Sequence, residues 1–426
     1  MRVLIVNTSE NAGGAAVAAN RIMEALNNNG VKAKMMVRDK TTDDITVVSV
    51  GGGLRGRMPF LWERWCIFCH AGFSRRHLFD IDIANAGIDI TRTREFEEAD
   101  VIHLNWINQG MLSLKCIGRI LDSGKPVVWT MHDMWPATAV CHLTFGCRKY
   151  ADEGCSRCPL LPRAGLLGDL AKRVWKRKAR VLGKRNGVFF VTCSHWLQGE
   201  AKRSKLLEGR QVTSIPNPID VRTFAPGNKA EARRQLGLPE ERRLMLFVAQ
   251  RVSNVNKGAA YLIEACRALV KSHPDMASNL GVVTLGGSGD ELASAFDVPV
   301  YPLGYITDTH KIVAAYRAAD VFVMPSLSEN LPNTIMEAMA CGVPCVGFNV
   351  GGIPEMIDHM KNGYVAQYKN AADLAEGIRW TLAEADREAL ACAAVGKVAR
   401  TYSQQSVALK YIEVYNQALA YKHYRL

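Results

Sequence analysis

The sequence predicts an α/β protein of two doubly wound, Rossmann-like domains, and three observations carry that prediction. The chain has 426 residues, roughly three times the length of a usual compact domain, so two domains are the first expectation. Short apolar runs alternate with helical periods, the pattern of a mainly parallel sheet covered on both faces. From about residue 243 the alternation starts again. Composition agrees: 48% hydrophobic and 22% charged residues are ordinary for a soluble globular chain and exclude a disordered or fibrous one.

Taken in order, residues 2–7 (RVLIVN) read as a buried strand, Gly13-Gly14 as the turn after it, and 15–28 as a helix with Val17, Ile22, Ala25 and Leu26 on its apolar side. The apolar run after Arg2 is only four residues long, too short for a signal peptide. No run nears the roughly 18 residues that span a bilayer, so a cytoplasmic protein is expected. Further strands are expected over 101–104, 127–130 and 188–193. Ile215-Pro216-Asn217-Pro218-Ile219-Asp220 breaks any helix and opens a polar connection. That sets the expected domains at 1–215 and 216–400.

In the second domain, strands are expected over 244–249, 281–285, 298–303, 321–324, 344–348 and 364–367. The third contains Pro299 and Pro302 and is at best an edge strand. Helices are expected near 258–272, 308–319, 333–341 and 352–360, followed by a helical tail from about 370. Its end, 401–426, is expected to cross back to the first domain. Two such domains leave a cleft at the carboxyl ends of their strands, where ligands bind in these sheets.

Formal charge is +12, and all of it sits in the first half. Residues 1–210 carry 32 Lys and Arg against 20 Asp and Glu, whereas 211–426 carry 21 of each. The first half therefore meets something anionic, such as a membrane surface, a phosphorylated acceptor or nucleic acid, or it presents a solvated basic face. The densest run is Lys172-Arg173-Val174-Trp175-Lys176-Arg177-Lys178-Ala179-Arg180, expected on an amphipathic helix. Such a helix can touch anionic lipid headgroups, or it can be a plain solvated face.

Most of the twelve cysteines sit among apolar neighbours and read as small core residues. In a cytosolic chain a tight cluster reads first as metal or redox chemistry. Cys141, Cys147, Cys155 and Cys158 fall within 18 residues and end in Cys-x2-Cys, enough for a closed tetrahedral structural zinc site. His142 is a substitute ligand in that reading, and four reduced cysteines are the alternative. Cys66-x2-Cys69-His70, flanked by Trp62, Trp65 and Phe68, reads as an apolar helix face.

The densest motif is Ser326-Leu327-Ser328-Glu329-Asn330-Leu331-Pro332-Asn333-Thr334-Ile335-Met336-Glu337, which follows the 321–324 strand. It runs into a helix that Pro332 can start. A helix N-terminus suits phosphate, and ionised carboxylates beside it accept hydrogen bonds from sugar or ribose hydroxyls. Spacing alone carries nothing, because 21 glutamates in the chain give about one Glu-x7-Glu pair by chance. Context carries it. The run 325–342, with Val350-Gly351-Gly352-Ile353-Pro354-Glu355 after it, closely resembles the signature of glycosyltransferase family 4, retaining enzymes of the GT-B fold. The resemblance implies that Glu329 holds the donor sugar and Glu337 the nucleotide ribose. It also implies that the turn Asn330, Leu331, Pro332 and Asn333 offers its backbone N–H groups, which Pro332 itself lacks, to sugar and phosphates. Asn330 stands where the family often has Gly.

Phe247-Val248-Ala249-Gln250-Arg251, with Lys257-Gly258 following, is similar to the family's strand, Arg and Lys directed at the diphosphate. Taken singly, Arg251 and Lys257 are ordinary loop cations. Together they can stabilise a departing nucleoside diphosphate without a metal, so no catalytic cofactor is expected. In the first domain the resemblance brings Gly13 and Gly14 close to donor phosphate or acceptor. It sets His132, in Val127-Val128-Trp129-Thr130-Met131-His132-Asp133, facing the donor sugar. Asp133 then either orients that ring or caps the next segment. The His-Asp-Met-Trp lead-in to the cysteines is similar to a bacterial capsular and exopolysaccharide subgroup. Asp80-Ile81-Asp82 resembles the metal motif of the GT-A fold, but twenty aspartates give about one Asp-x-Asp by chance, so it is discounted.

The expected protein moves a hexose-type sugar, with retention, from a nucleoside diphosphate sugar to a glycan or lipid-linked glycan acceptor in surface polysaccharide biosynthesis. It is expected in the cytoplasm, peripheral at the inner face of the membrane, with an anionic membrane surface as partner. A GT-B-fold epimerase or phosphorylase is the rival within enzymes and explains the signature less well. A zinc-containing nucleic-acid-binding protein is the rival outside them. It would use the cysteines and the basic helix and leave the second domain unexplained, so no nucleic acid partner is expected.

Overall fold

Continuous apolar runs such as Val3-Leu4-Ile5-Val6 need burial on both sides, because successive side chains of a strand point to opposite faces. The computed structural model, which describes residues 1–161, 168–183, 187–251, 254–287 and 289–423, satisfies that need. Val3 and Ile5 pack into one core of the first sheet while Leu4 and Val6 pack into another. Val128 and Trp129, and Phe189 and Phe190, divide in the same way. The chain forms two units, Met1–Pro218 with Val407–Leu426, and Ile219–Ser406.

Among the described residues the first unit holds seven strands: β1 (Arg2–Ser9), β2 (Lys32–Asp39), β3 (Val47–Ser49), β4 (Val101–Leu104), β5 (Val127–Met131), β6 (Val188–Thr192) and β7 (Val212–Ser214). They are all parallel, in the order β3-β2-β1-β4-β5-β6-β7. The winding therefore reverses between β1 and β4. The sequence missed β2, β3 and β7 for physical reasons. Exposed Lys32 and Lys34 interrupt the apolar run of β2, and β3 and β7 are three-residue edge strands.

The last helix, Gln404–His423, belongs with this unit from Val407 onward. Val407, Tyr411, Val414, Tyr415 and Ala418 form a stripe at helical spacing and bury against Val3, Ile5 and Val191. Two tyrosines tie it down through polar bonds. The Tyr411 hydroxyl lies 3.0 Å from Thr130 Oγ1 and the Tyr415 hydroxyl 2.8 Å from His103 Nδ1. His103 Nε2 completes the chain at 2.7 Å from the same Thr130 oxygen.

The second unit holds β8 (Arg243–Arg251), β9 (Leu280–Gly287), β10 (Val300–Pro302), β11 (Val321–Met324), β12 (Cys345–Phe348) and β13 (Gly363–Ala366). These are parallel too, ordered β10-β9-β8-β11-β12-β13, and the winding reverses between β8 and β11. Strand β10, which ends in Pro302 and lacks the N–H of that residue, lies at the edge. The helix expected over 352–360 is only one turn, Ile353–Met356. After it, the Asn362 side chain accepts the Asp358 N–H at 2.8 Å and folds 358–362 into a turn. Among the described residues no helix is long and apolar enough to cross a membrane.

Candidate active site

In a doubly wound sheet, loops leaving two strands on either side of the winding reversal diverge and open a crevice at the carboxyl ends. In the second unit those are the loops after β8 and β11, and both carry signature residues. Glycines bring them together. Gly258 sits at φ +72, and a Cβ there would meet the Pro325 carbonyl oxygen at 1.8 Å, so only glycine allows this approach. The Leu327 N–H donates to the Asn256 carbonyl at 2.8 Å. Lys257 and Glu329 consequently meet, Nζ to Oε1, at 2.5 Å. Gly351, at φ +58, closes on the other side: a Cβ there would meet the Glu329 carbonyl oxygen at 1.7 Å.

Pro332 precedes the helix Asn333–Ala340 and takes its N-cap position. Asn330 and Asn333 are half-buried and Leu331 is buried. Glu337, on the helix that this turn starts, is buried and accepts the Tyr316 hydroxyl on Oε2 at 2.7 Å. Lys257, Glu329 and the 330–333 turn thus share one reversal point, with Glu337 one turn into the helix. The backbone of Arg251 ends β8 opposite Gly287, and its side chain lies outside the described residues. A cation paired with a carboxylate beside a helix N-terminus can bind both the anionic and the hydroxyl parts of one ligand.

In the first unit, Gly13 follows β1 at φ +92 and caps the helix Gly14–Asn28. His132 follows β5 directly and is half-buried. Its Nε2 lies 2.9 Å from Asn105 Oδ1, an acceptor, and its Nδ1 lies 3.4 Å from the Cys193 sulfur. Burial pushes the Cys193 thiol up, so that sulfur keeps its proton and donates it to the Met131 carbonyl at 3.5 Å, which leaves the Asn105 oxygen to fix the imidazole proton on Nε2. The ring is then the Nε2–H tautomer. Burial also lowers the His132 pKa to about 4, against the opposing pull of Asp133, so the imidazole is neutral.

Asp133 does more than either expected role. It caps the next turn by accepting the Trp135 N–H at 2.8 Å, and it takes the Trp106 indole N–H at 2.8 Å and His142 Nδ1 at 2.7 Å. His142 gives its other nitrogen to Asp82 at 2.6 Å. Burial opposes its charge, but Asp133 and Asp82 outweigh burial and push its pKa up to about 10. With both ring nitrogens engaged, His142 is not the substitute metal ligand that the sequence suggested. Asp82 itself is fully buried and paired with Arg64, while Asp80 bonds His77 at 2.7 Å. The discounted Asp-x-Asp is a structural pair.

Sequence reasoning missed Asn105, Trp106, Cys193 and Tyr316. Asn105-Trp106 had a usable signal, since it directly follows β4 at the first unit's winding reversal.

Cys141, Cys147, Cys155 and Cys158 all line one cavity of about 20 Å³. Burial pushes Cys141 up to about 12 and Cys155 up to about 11. The Ala139 N–H lies on Cys155, and those of Leu160 and Leu161 on Cys158. The donor set suits a thiophilic ion. As they stand, no group of three or more His, Cys, Asp or Glu among the described residues is arranged to hold a metal.

Residues 242–384 match the family of glycosyl transferases group 1, a span that includes Lys257, Glu329 and Glu337. That match lies wholly within the second unit. The chain is 30% identical over 225 residues to a D-inositol 3-phosphate glycosyltransferase from Thermobispora bispora, covering 50% of this chain and 52% of that one. It thus spans about half the length of the curated relatives it matches. Sucrose-phosphate synthase from Thermosynechococcus elongatus superposes with a TM-score of 0.66 at 18% identity, over 98% of this chain and 99% of that one. Anabaena HepE in complex with UDP-glucose superposes with a TM-score of 0.62 at 16% identity, over 98% of this chain and 100% of the other. Two Rossmann-like α/β domains of the GT-B type, expected from the sequence, are the fold found.

Proposed function

We propose that this protein is a retaining family 4 glycosyltransferase that moves a hexose-type sugar from a nucleoside diphosphate sugar to a glycan acceptor. The observation that carries the proposal is the Lys257–Glu329 pair at the winding reversal of the matched domain. Similarity to HepE, a protein solved with UDP-glucose, supports the donor class. Lys257, joined by Arg251, neutralises charge on the departing diphosphate. Glu329 accepts hydrogen bonds from the sugar, Glu337 from the ribose, and the N–H groups of Asn330, Leu331 and Asn333 serve the phosphates. The bond from the anomeric carbon to the diphosphate oxygen breaks with its electron pair going to that oxygen. The acceptor oxygen bonds the same face of the carbon, and its proton passes to the departing phosphate. His132, a neutral imidazole, positions the sugar without acting as a base at pH 7. Gly13 and Gly14 let backbone approach the donor phosphate or the acceptor.

The acceptor we infer is lipid-linked and the pathway surface polysaccharide assembly, with the protein in the cytoplasm and peripheral on an anionic membrane. The charge of the first half and the exposed Lys172, Arg173, Lys176 and Arg177 support this. A structural zinc on Cys141, Cys147, Cys155 and Cys158 completes the proposal, supported by their shared cavity. The experiment is transfer from a panel of nucleotide sugars to lipid-linked glycans and, in a separate arm, to D-inositol 3-phosphate, with the product's anomeric configuration read by NMR. An inverted product overturns retention, and turnover of donor without acceptor supports an epimerase instead.

A further inference from the structure

The helix Leu54–His70 is built inside out. Its central charges are buried: Glu63 is 0% and Arg64 6% exposed. Glu63 Oε1 accepts the N–H groups of Ile83 and Ala84 at 2.8 and 2.6 Å, and Arg64 pairs with Asp82. Ile67 packs into the core, but several of the helix's large apolar side chains face outward. Met58, Leu61, Trp62 and Trp65 are each more than half exposed, and their spacing of three, one and three residues makes a single stripe along the helix. Beyond it the rings of Trp65, Phe68 and Phe73 follow one another at 6.0 and 5.5 Å, with Phe73 exposed. Scattered exposed apolar residues need no explanation, but a contiguous stripe on one helix does.

Cations rim the stripe. Arg57, Arg75 and Arg76 are exposed on the same segment. The basic helix Leu170–Gly183 adjoins it, because Arg173 bonds His70 Nε2 at 2.8 Å. That helix adds exposed Lys172, Arg173, Lys176 and Arg177. Tryptophan and leucine flanked by arginine and lysine match an anionic bilayer interface, where indoles settle at the headgroup level and cations meet lipid phosphate. Acidic groups beside them are exposed Asp80 and the half-buried Asp169, which accepts the Lys172 N–H at 3.0 Å.

We propose that the stripe Met58, Leu61, Trp62 and Trp65 is the part of the first unit that inserts into the interface of an anionic membrane, with the Leu170–Gly183 cations docking beside it. This rests on the membrane reading above and assigns the apolar contact to a different helix from the cationic one. The full chain is sedimented with vesicles of zwitterionic lipid and with vesicles containing anionic phosphatidylglycerol. The unmodified chain binds the anionic vesicles, and its tryptophan emission is quenched by brominated acyl chains. The double variant Trp62→Ser, Trp65→Ser loses about tenfold or more in partitioning and most of that quenching, at unchanged net charge and unchanged circular dichroism. If that variant binds as well as the parent while neutralising Lys172, Arg173, Lys176 and Arg177 abolishes binding, the membrane reading stands and the insertion proposal falls. No binding by the unmodified chain overturns both. A dimer in sedimentation velocity that the double variant dissociates overturns the proposal in favour of a second copy on this face.

Discussion

His103 gives the first unit a built-in sensitivity to acid, and its size follows from the structure. The ring is 0% exposed, held between Thr130 and Tyr415. Burial, with the nearby His132, lowers its pKa from 6.5 to about 3. The folded state therefore keeps it neutral, while the unfolded chain takes up a proton below about pH 6.5. Because the unfolded state binds more protons between those values, its contribution to stability is full above pH 6.5 and is lost as pH falls toward 3. The slope approaches about 1.4 kcal/mol per pH unit, or about 2 kcal/mol between pH 7 and pH 5. Glu63 works in the opposite direction, since burial and Asp82 push it up to about 7. The clean measurement is therefore the difference between the parent and His103→Gln. Tryptophan emission during urea unfolding follows the first unit, which holds seven of the eight tryptophans. The offset at pH 7 records lost packing and hydrogen bonds. The parent's advantage should then shrink by about 2 kcal/mol by pH 5. Tyr415→Phe, which keeps the imidazole, should lower stability and retain the slope. Parallel pH profiles for the parent and His103→Gln would refute the claim that the fold holds this ring neutral.

Further outcomes follow from the other sites. Lys257→Met and Glu329→Gln should each lower kcat for transfer by about a hundredfold or more with circular dichroism unchanged; an unaltered rate removes that residue from the site. Chelators of loosely held magnesium or manganese should leave transfer intact, because Lys257 and Arg251 are assigned the charge of the diphosphate. Elemental analysis should find about one zinc per chain, released in Cys155→Ser, Cys158→Ser, whereas stable native protein with four titratable thiols and no zinc ends that reading. Neutralising Lys172, Arg173, Lys176 and Arg177 should weaken vesicle binding as added salt does, and leave transfer to a short water-soluble acceptor near normal.

The parts of the site legible in the sequence are those whose partners are close along the chain or whose role is written in backbone chemistry. Gly258 and Gly351 stood in the sequence as parts of the stretches that resemble the family signature, and the structure gives the reason: only glycine tolerates their φ values and close approaches. The Pro332 turn announced the helix that follows it. The repeated strand and helix alternation gave both sheets, and the three missed strands were two short edges and one interrupted by lysines. The structure shows Lys257 and Glu329 in contact across 72 residues, which the sequence could suggest only through its resemblance to a known signature.

What stayed hidden is polar burial, and the reason is that polarity alone does not say which face of a helix turns inward. Lys178 stands among five other cations in its helix, yet it is 2% exposed and donates to the carbonyls of Trp135 and Thr138 at 2.6 and 3.0 Å. Its ammonium lies 3.3 Å from the Trp135 ring centre, and burial lowers its pKa to about 7. Glu63 and Arg64 behave alike, because the amides and carboxylate that partner them lie 18 to 21 residues away. A buried charge persists only where such partners exist. The pattern that predicts an apolar inward face therefore fails where distant backbone groups and a carboxylate supply that partnership. In the helix Leu54–His70 the failure has a consequence outside the core: turning its charges inward is what leaves Trp62 and Trp65 to the solvent. Substituting Glu63 with an apolar residue would remove the carboxylate that accepts the Ile83 and Ala84 amides, so the orientation of the aromatic stripe depends on a polar contact on the helix's opposite face.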